Sequence, residues 1–195
     1  MLYARNTPCV MLLTTERLRL REFIENDWYT VFAYQSDPRY LRYSPWTHRL
    51  REQVERLVQD FIGWQHEQPR CKYQLAIVLQ TIYLLIGTCG IRMATAAAQE
   101  AELGSELHPD YWGHGYATEA AWSMLAFGFH TLPLQRVWAQ CLAENRASVR
   151  VLERLGMRPE RCQRQQHTWM QNRWWDRVAY TIDKTAWRAQ WETGG

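Results

Sequence analysis

The chain has 195 residues, 47% hydrophobic and 13% aromatic, with 11 tryptophans; this is enough apolar side chain for one packed domain and excludes global disorder. The formal charge is +3, and 21 arginines and 2 lysines are scattered among 20 acidic residues, so no basic block forms a nucleic-acid arm. Five cysteines (Cys9, Cys71, Cys89, Cys141, Cys162) are odd in number and lack any Cys-x-x-Cys pair, which argues against a disulfide framework or zinc site and for a reducing, cytoplasmic setting.

In chain order, residues 1–11 fit no periodic pattern and read as a loose extension, with Met11 a candidate natural start. "LLTTERLRLREF" (Leu12 to Phe23) alternates apolar and charged residues, as a half-buried first strand does. Asn26 or Asp27 caps a helix to about Gln35, and "SDPRY" ends it. Leu50, Val54, Leu57, Val58, Phe61 and Ile62 recur at helical spacing and predict a second helix, closed by Pro69. The uncharged run Tyr73 to Ile91 spans 19 residues, a membrane-like length. Its glutamines, threonines and glycines, with many β-favouring residues, fit two buried strands instead, Tyr73 to Leu79 and Leu84 to Met93. "EAELGSEL" (Glu100 to Leu107) is a fourth strand, followed by a glycine-containing loop and a helix to about His130. "LQRVWAQCL" is a fifth strand. "ENRASVRVLERLGM" is a short helix with Asn145 as cap and Val151, Leu152 and Leu155 as its inward stripe. "QRQQHTWM" and "WWDRVAYTI" form a terminal hairpin. The order is βααβββαβαββ: an α/β (α+β) single domain over residues 12–187, with a tail from 188 to 195. Its mixed, mostly antiparallel twisted sheet has about seven strands, flanked by about four helices.

The stretch "DYWGHGYATEA" (Asp110 to Ala120) places two glycines where a strand-to-helix loop enters a helix. The first N–H groups of a helix lack partners and favour an anion; Gly113 and Gly115 let backbone approach it closely. The alternative is a tight turn without a ligand. No Gly-Lys-Ser/Thr triplet is present, and Thr118 stands where a dinucleotide fingerprint needs its third glycine.

"AELGSELHPDYWGHGYATEA", followed by "ENRASVRVLERLGM", resembles the acetyl-CoA-dependent Gcn5-related N-acetyltransferases (GNAT), and most of all their ribosomal-protein N-terminal (RimJ/RimL-like) branch. "TTERLRLREF", "YLRYSPW" and the final "WWDRVAYTI" extend the resemblance over about residues 12–187. The family's pyrophosphate loop, Arg/Gln-x-x-Gly-x-Gly/Ala, reads here Trp112-Gly113-His114-Gly115-Tyr116-Ala117, with Trp112 a departure.

The resemblance implies coenzyme A contacts at Leu107, Trp112, Gly113, His114, Gly115, Tyr116, Ala117, Thr118 and Asn145, with the pantetheine arm laid between two splayed strands. Glu106 stands where related enzymes often carry a general base; its other reading is a solvated strand-end carboxylate. Ser148 is the implied partner of the sulfur, in place of the tyrosine that many members carry where this chain has Leu152; its other reading is a helix-capping serine. His167 is an alternative base; His108 and His114 read as surface residues. Tyr43 and Trp46, with Arg42 nearby, are the implied substrate wall, against a reading as core anchors. Glu102 is a further carboxylate able to attract a cationic acceptor. The implied activity is acetyl transfer to a primary amine, either a protein N-terminus or a small molecule, by direct attack in a ternary complex. A non-catalytic acyl-CoA sensor or interaction module is the alternative. No nucleic acid, membrane or metal is implied; a homodimer is plausible.

Overall fold

The computed structural model describes residues 11–160 and 166–192. The reading of 1–11 as an extension therefore falls outside the described residues except at Met11, which packs against the main core. Nine strands form one sheet in the order β1-β2-β3-β4-β5-β6-β9-β7, with β8 paired to β9. The order arises from β1 (Leu12–Thr14), β2 (Leu18–Arg21), β3 (Lys72–Leu79), β4 (Leu84–Met93), β5 (Glu100–Leu107), β6 (Arg136–Leu142), β7 (Arg158–Pro159), β8 (Gln166–Met170) and β9 (Arg173–Asp183). All pairs are antiparallel except β5 with β6.

The helices are α1 (Trp28–Gln35), α2 (Pro38–Leu41), α3 (Arg51–Trp64), α4 (Tyr116–Thr131), α5 (Arg146–Arg154) and α6 (Lys184–Glu192). Val54, Val58 and Phe61 of α3 are buried against Phe23, Val31 and Tyr34 on one face of the sheet. Each such side chain removed from water contributes roughly 1.5–3 kcal/mol. On the other face, Met124, Leu125 and Phe129 of α4 join Leu75, Ile77, Ile91 and Leu103 in the main core. The long uncharged run is thus two adjacent strands, β3 and β4, buried on both faces, as its composition predicts. No helix among the described residues is long and apolar enough to cross a membrane.

Five features differ from the sequence reading, each for a local reason. The first strand is broken at Thr15, whose backbone N–H donates to the Leu18 carbonyl and whose hydroxyl accepts from the Leu18 N–H, making a turn. "SDPRY" does not simply end a helix. The Asp37 carboxylate accepts the Arg39 N–H and Pro38 occupies a first-turn position, which starts α2. The two-residue strand β7 is too short to carry a periodic signal. Residues from 184 continue as α6 to Glu192, where the sequence reading has a tail from 188. Trp187 anchors α6, fully buried and packed against Phe129, Trp122 and His130 of α4. In α5 the stripe holds at Leu152 and Leu155, both buried, and at Val151, partly buried against the same core, but it also takes in Val149, which the sequence reading left out.

Candidate active site

β5 and β6 are paired only at Glu100–Arg136, Ala101–Val137 and Glu102–Trp138. Beyond Glu102 the strands part. Which backbone groups face the gap follows from the pleat. The His108 N–H donates to the Ile86 carbonyl, fixing the hydrogen-bonded pairs between β5 and β4 at even-numbered β5 residues. The groups of Leu103, Ser105 and Leu107 therefore point the other way, into the opening. A cavity of about 1190 Å³ fills it.

Two walls of that cavity differ in construction. The first is the loop between β5 and α4. Gly113 and Gly115 both sit at φ +83°, a left-handed conformation that glycine adopts without steric cost. Gly115 is the N-cap of α4, and the first N–H with a helical acceptor is that of Glu119, bonded to the Gly115 carbonyl. The N–H groups of Tyr116, Ala117 and Thr118 precede it, with the positive end of the helix dipole behind them. A Cβ built on Gly113 meets nothing within 4 Å, so the loop faces open space rather than packed side chains. Trp112 donates its indole N–H to the Leu107 carbonyl at 2.9 Å. Its role is to tie the loop to the end of β5, while Leu107 keeps its N–H for the gap.

The loop is also clamped from the turn between β1 and β2. The Arg17 guanidinium donates to Glu119 Oε2 at 2.7 Å and to the His114 carbonyl at 3.0 Å, and lies 4.6 Å from the Tyr116 ring centre. Thr15 donates to Glu119 Oε1 at 2.6 Å. Burial alone would raise the Glu119 carboxyl, but the hydrogen bonds from Thr15 and Arg17 outweigh it and hold its pKa below the ordinary value. His114 stacks on Tyr116 and is not among the cavity-lining residues.

The second wall is made of side chains on the α1–α3 face. Glu106 is half-buried, and its Oε2 accepts from the Gln35 amide at 2.9 Å and the Tyr34 hydroxyl at 3.2 Å. Gln35 in turn accepts from Arg49 Nε at 3.0 Å, which fixes the orientation of its amide. Tyr34, Gln35 and Arg49 are all buried. Burial and the adjacent Glu106 push the phenols of Tyr34 and Tyr40 well above their ordinary pKa, so both remain donors. Arg49 also lies 4.0 Å from the Trp46 ring centre. Gln171, at the β8–β9 turn, donates to the carbonyls of Leu41, Ser44 and Trp46 and thereby ties the 41–46 segment to the hairpin. Tyr43 packs edge-on against Trp175.

Of the residues singled out in the sequence, Glu106, Leu107, Trp112, Gly113, Gly115, Tyr116, Ala117, Thr118, Asn145, Ser148, Tyr43 and Trp46 all line the one cavity. Asn145 caps α5 by accepting the Ser148 N–H at 3.2 Å. The capping group is thus Asn145, and the Ser148 hydroxyl makes no hydrogen bond to another described residue. His167 is elsewhere: it pairs with Asp176 at 2.7 Å on the exposed hairpin. His108 Nδ1 accepts the Asp110 N–H, and Glu102 pairs with Arg92. Cys141 also lines the cavity, but burial pushes its thiol up to about 11, leaving it protonated near neutral pH. No group of three metal-ligating side chains occurs among the described residues. Arg17, Tyr34, Gln35, Tyr40, Arg49 and Gln171 are the contributors the sequence reading missed.

The chain and its fold have counterparts in known proteins. The family model described as acetyltransferase (GNAT) domain matches residues 17–158. The uncharacterized N-acetyltransferase YnaD of Bacillus subtilis (strain 168) is 32% identical over 181 residues, covering 91% of this chain and 99% of that protein. A GNAT-family acetyltransferase structure from Bacillus anthracis superposes with a TM-score of 0.75 at 29% identity, covering 90% of this chain and 99% of the other. The ribosomal-protein alpha-N-acetyltransferase RimL, in complex with coenzyme A, shares the fold at a TM-score of 0.76 and 17% identity, with coverage of 89% and 98%.

Proposed function

The chain belongs to the GNAT acetyltransferase family and is an acyltransferase, and from that premise we propose that it moves an acetyl group from acetyl-CoA to a primary amine within one ternary complex. The observation that carries this reading is the parting of β5 from β6 after Glu102, with the glycine loop at one end and Glu106 on the facing wall.

The N–H groups of residues 113–118 hold the diphosphate of acetyl-CoA. The groups of Leu103, Ser105 and Leu107 receive its pantetheine arm in the manner of an added strand. Asn145 takes a further pantetheine contact. An N–H at the end of β5 lies where a thioester oxygen gains charge in the transition state; one such donor is worth about 10²–10³ in rate.

Glu106 takes the proton that the attacking amine loses, directly or through water. Tyr34 and Gln35 fix the carboxylate by binding Oε2. As the carbon–nitrogen bond forms, the carbon–sulfur bond breaks. The Ser148 hydroxyl donates to the departing thiolate. Tyr43 and Trp46 wall the acceptor. Holding both reactants in one cleft supplies the largest share of the acceleration. The shared fold with RimL supports the N-terminal branch, in which the acceptor amine is the α-amine of a protein.

The test is thiol release from acetyl-CoA in the presence of an amine panel. Turnover dependent on the amine supports the reading. Tight acetyl-CoA binding with no release across α-amines, alkylamines and amino-sugars overturns it.

A further inference from the structure

We propose that the acceptor carries an anionic group, a carboxylate or phosphate, bound by Arg42 and Arg177 while its amine lies at Glu106. The proposal rests on the amine acetylation just described and adds the acceptor's charge class.

Side-chain parity puts these groups on one face. In β5, Leu103 and Leu107 point into the α4 core, so Glu106 points the other way. In β6, Val137 and Ala139 join that core, while Leu142 packs with Trp175 and Met170 on the opposite side. Arg177 lies directly across from Leu142 in the β6–β9 register and shares its face. The 38–46 segment crosses the same face, because Tyr43 packs with that Leu142–Trp175 group. Arg42 lies 5.3 Å from the Tyr43 ring centre, and both Arg42 and Arg177 are exposed cavity-lining residues.

The charge balance of this wall is one-sided. Arg39 is bound between Asp37 and Asp110, Arg173 is bound to Glu144, and Arg49 is held by Gln35. Arg42 and Arg177 form no ion pair with a carboxylate among the described residues. The acidic side chains of the cavity are Glu106, bound by Tyr34 and Gln35, and Glu144, bound by Arg173. Two guanidinium forks therefore line the cavity with no carboxylate bound to them among the described residues. Such forks suit the planar oxygens of carboxylate or phosphate, and a cleft focuses their field. A polyamine would set its remaining ammonium groups against them. Arg146, Arg150 and Arg154 belong to α5 on the opposite, α4 side and are left for the phosphates of acetyl-CoA.

Kinetics with matched acceptor pairs test this: aspartyl-alanine amide against asparaginyl-alanine amide, glucosamine 6-phosphate against glucosamine, and spermine alone. At least one anionic member should exceed its neutral partner by about tenfold in kcat/KM, the scale of one charge-assisted contact, and the gap should shrink with added salt. The pair with the wider gap identifies carboxylate or phosphate. R42Q/R177Q should close the gap through KM, and R177K should close it partly. Equal rates within both pairs, or spermine as the preferred acceptor, overturn the proposal while leaving amine acetylation standing. A gap that survives R42Q/R177Q while KM for acetyl-CoA rises assigns the arginines to the cofactor and overturns it too. Absence of turnover with every amine defeats the acetylation reading itself.

Discussion

The two walls of the cavity are built in opposite ways. The loop wall presents backbone N–H groups from one contiguous stretch, residues 112–118, shaped by two left-handed glycines and a helix start. The acceptor wall presents side chains drawn from α1, the 38–49 segment, β5 and the β8–β9 turn. A backbone-built site tolerates most side-chain changes but not changes of conformation. A side-chain-built site is sensitive at each member, because every buried polar group that loses its partner is costly.

The largest effect expected is from Gly115→Val. At φ +83° a β-branched residue is strained whatever space surrounds it, and the displaced loop no longer aligns its donors. Calorimetry should show loss of measurable acetyl-CoA binding in a protein whose circular dichroism is unchanged. Retained affinity would place the diphosphate elsewhere.

The acceptor wall should respond in rate rather than in cofactor affinity. Glu106→Gln should lower kcat by about 100-fold with an alkylamine, whose pKa lies near 10, and only a few-fold with an α-amine near 8. An unchanged pH–rate profile would remove Glu106 from the base role. Gln35→Leu should cost about tenfold in kcat while acetyl-CoA affinity holds, because Arg49 and Glu106 lose the amide that joins them. If its kcat matches the parent, the carboxylate needs no such support.

The smallest effect concerns the clamp on the loop. Glu119 has its folded pKa lowered, so its contribution to stability is present above the unfolded value near 4.5 and is lost as pH falls through the lower folded value. Thermal unfolding followed from pH 6 to pH 3 should show a shallower acid decline for Glu119→Gln than for the parent. Identical slopes would mean the Arg17–Glu119 pair adds nothing. The Arg17 side chain is 41% exposed, so the difference should be below about 1 kcal/mol.

The same contrast explains what the sequence made legible. The loop wall is local: strand, glycines and helix start follow one another within about ten residues, and Asn145 and Ser148 open the next helix. The acceptor wall depends on contacts 71 residues apart for Gln35 with Glu106 and 130 apart for Gln171 with Leu41, which no periodicity records. Arg17 was missed for the same reason, since its partner Glu119 lies 102 residues away. Val149 was left out of the α5 stripe because nine residues give little more than two turns, too few to fix the width of the buried face. Helix α6 was missed because, among its residues of described burial, Trp187 alone is deeply buried and creates no repeat.

Residue-resolved amide exchange from Leu103 to Thr118, with and without coenzyme A, tests the parted-strand site most directly. Coenzyme A should slow the N–H groups of Leu103, Ser105 and Leu107 and those of residues 113–118, and leave Gly104 and Glu106, already paired with β4, unchanged. Bound coenzyme A with no such alternation, or with protection confined to another surface, would contradict it.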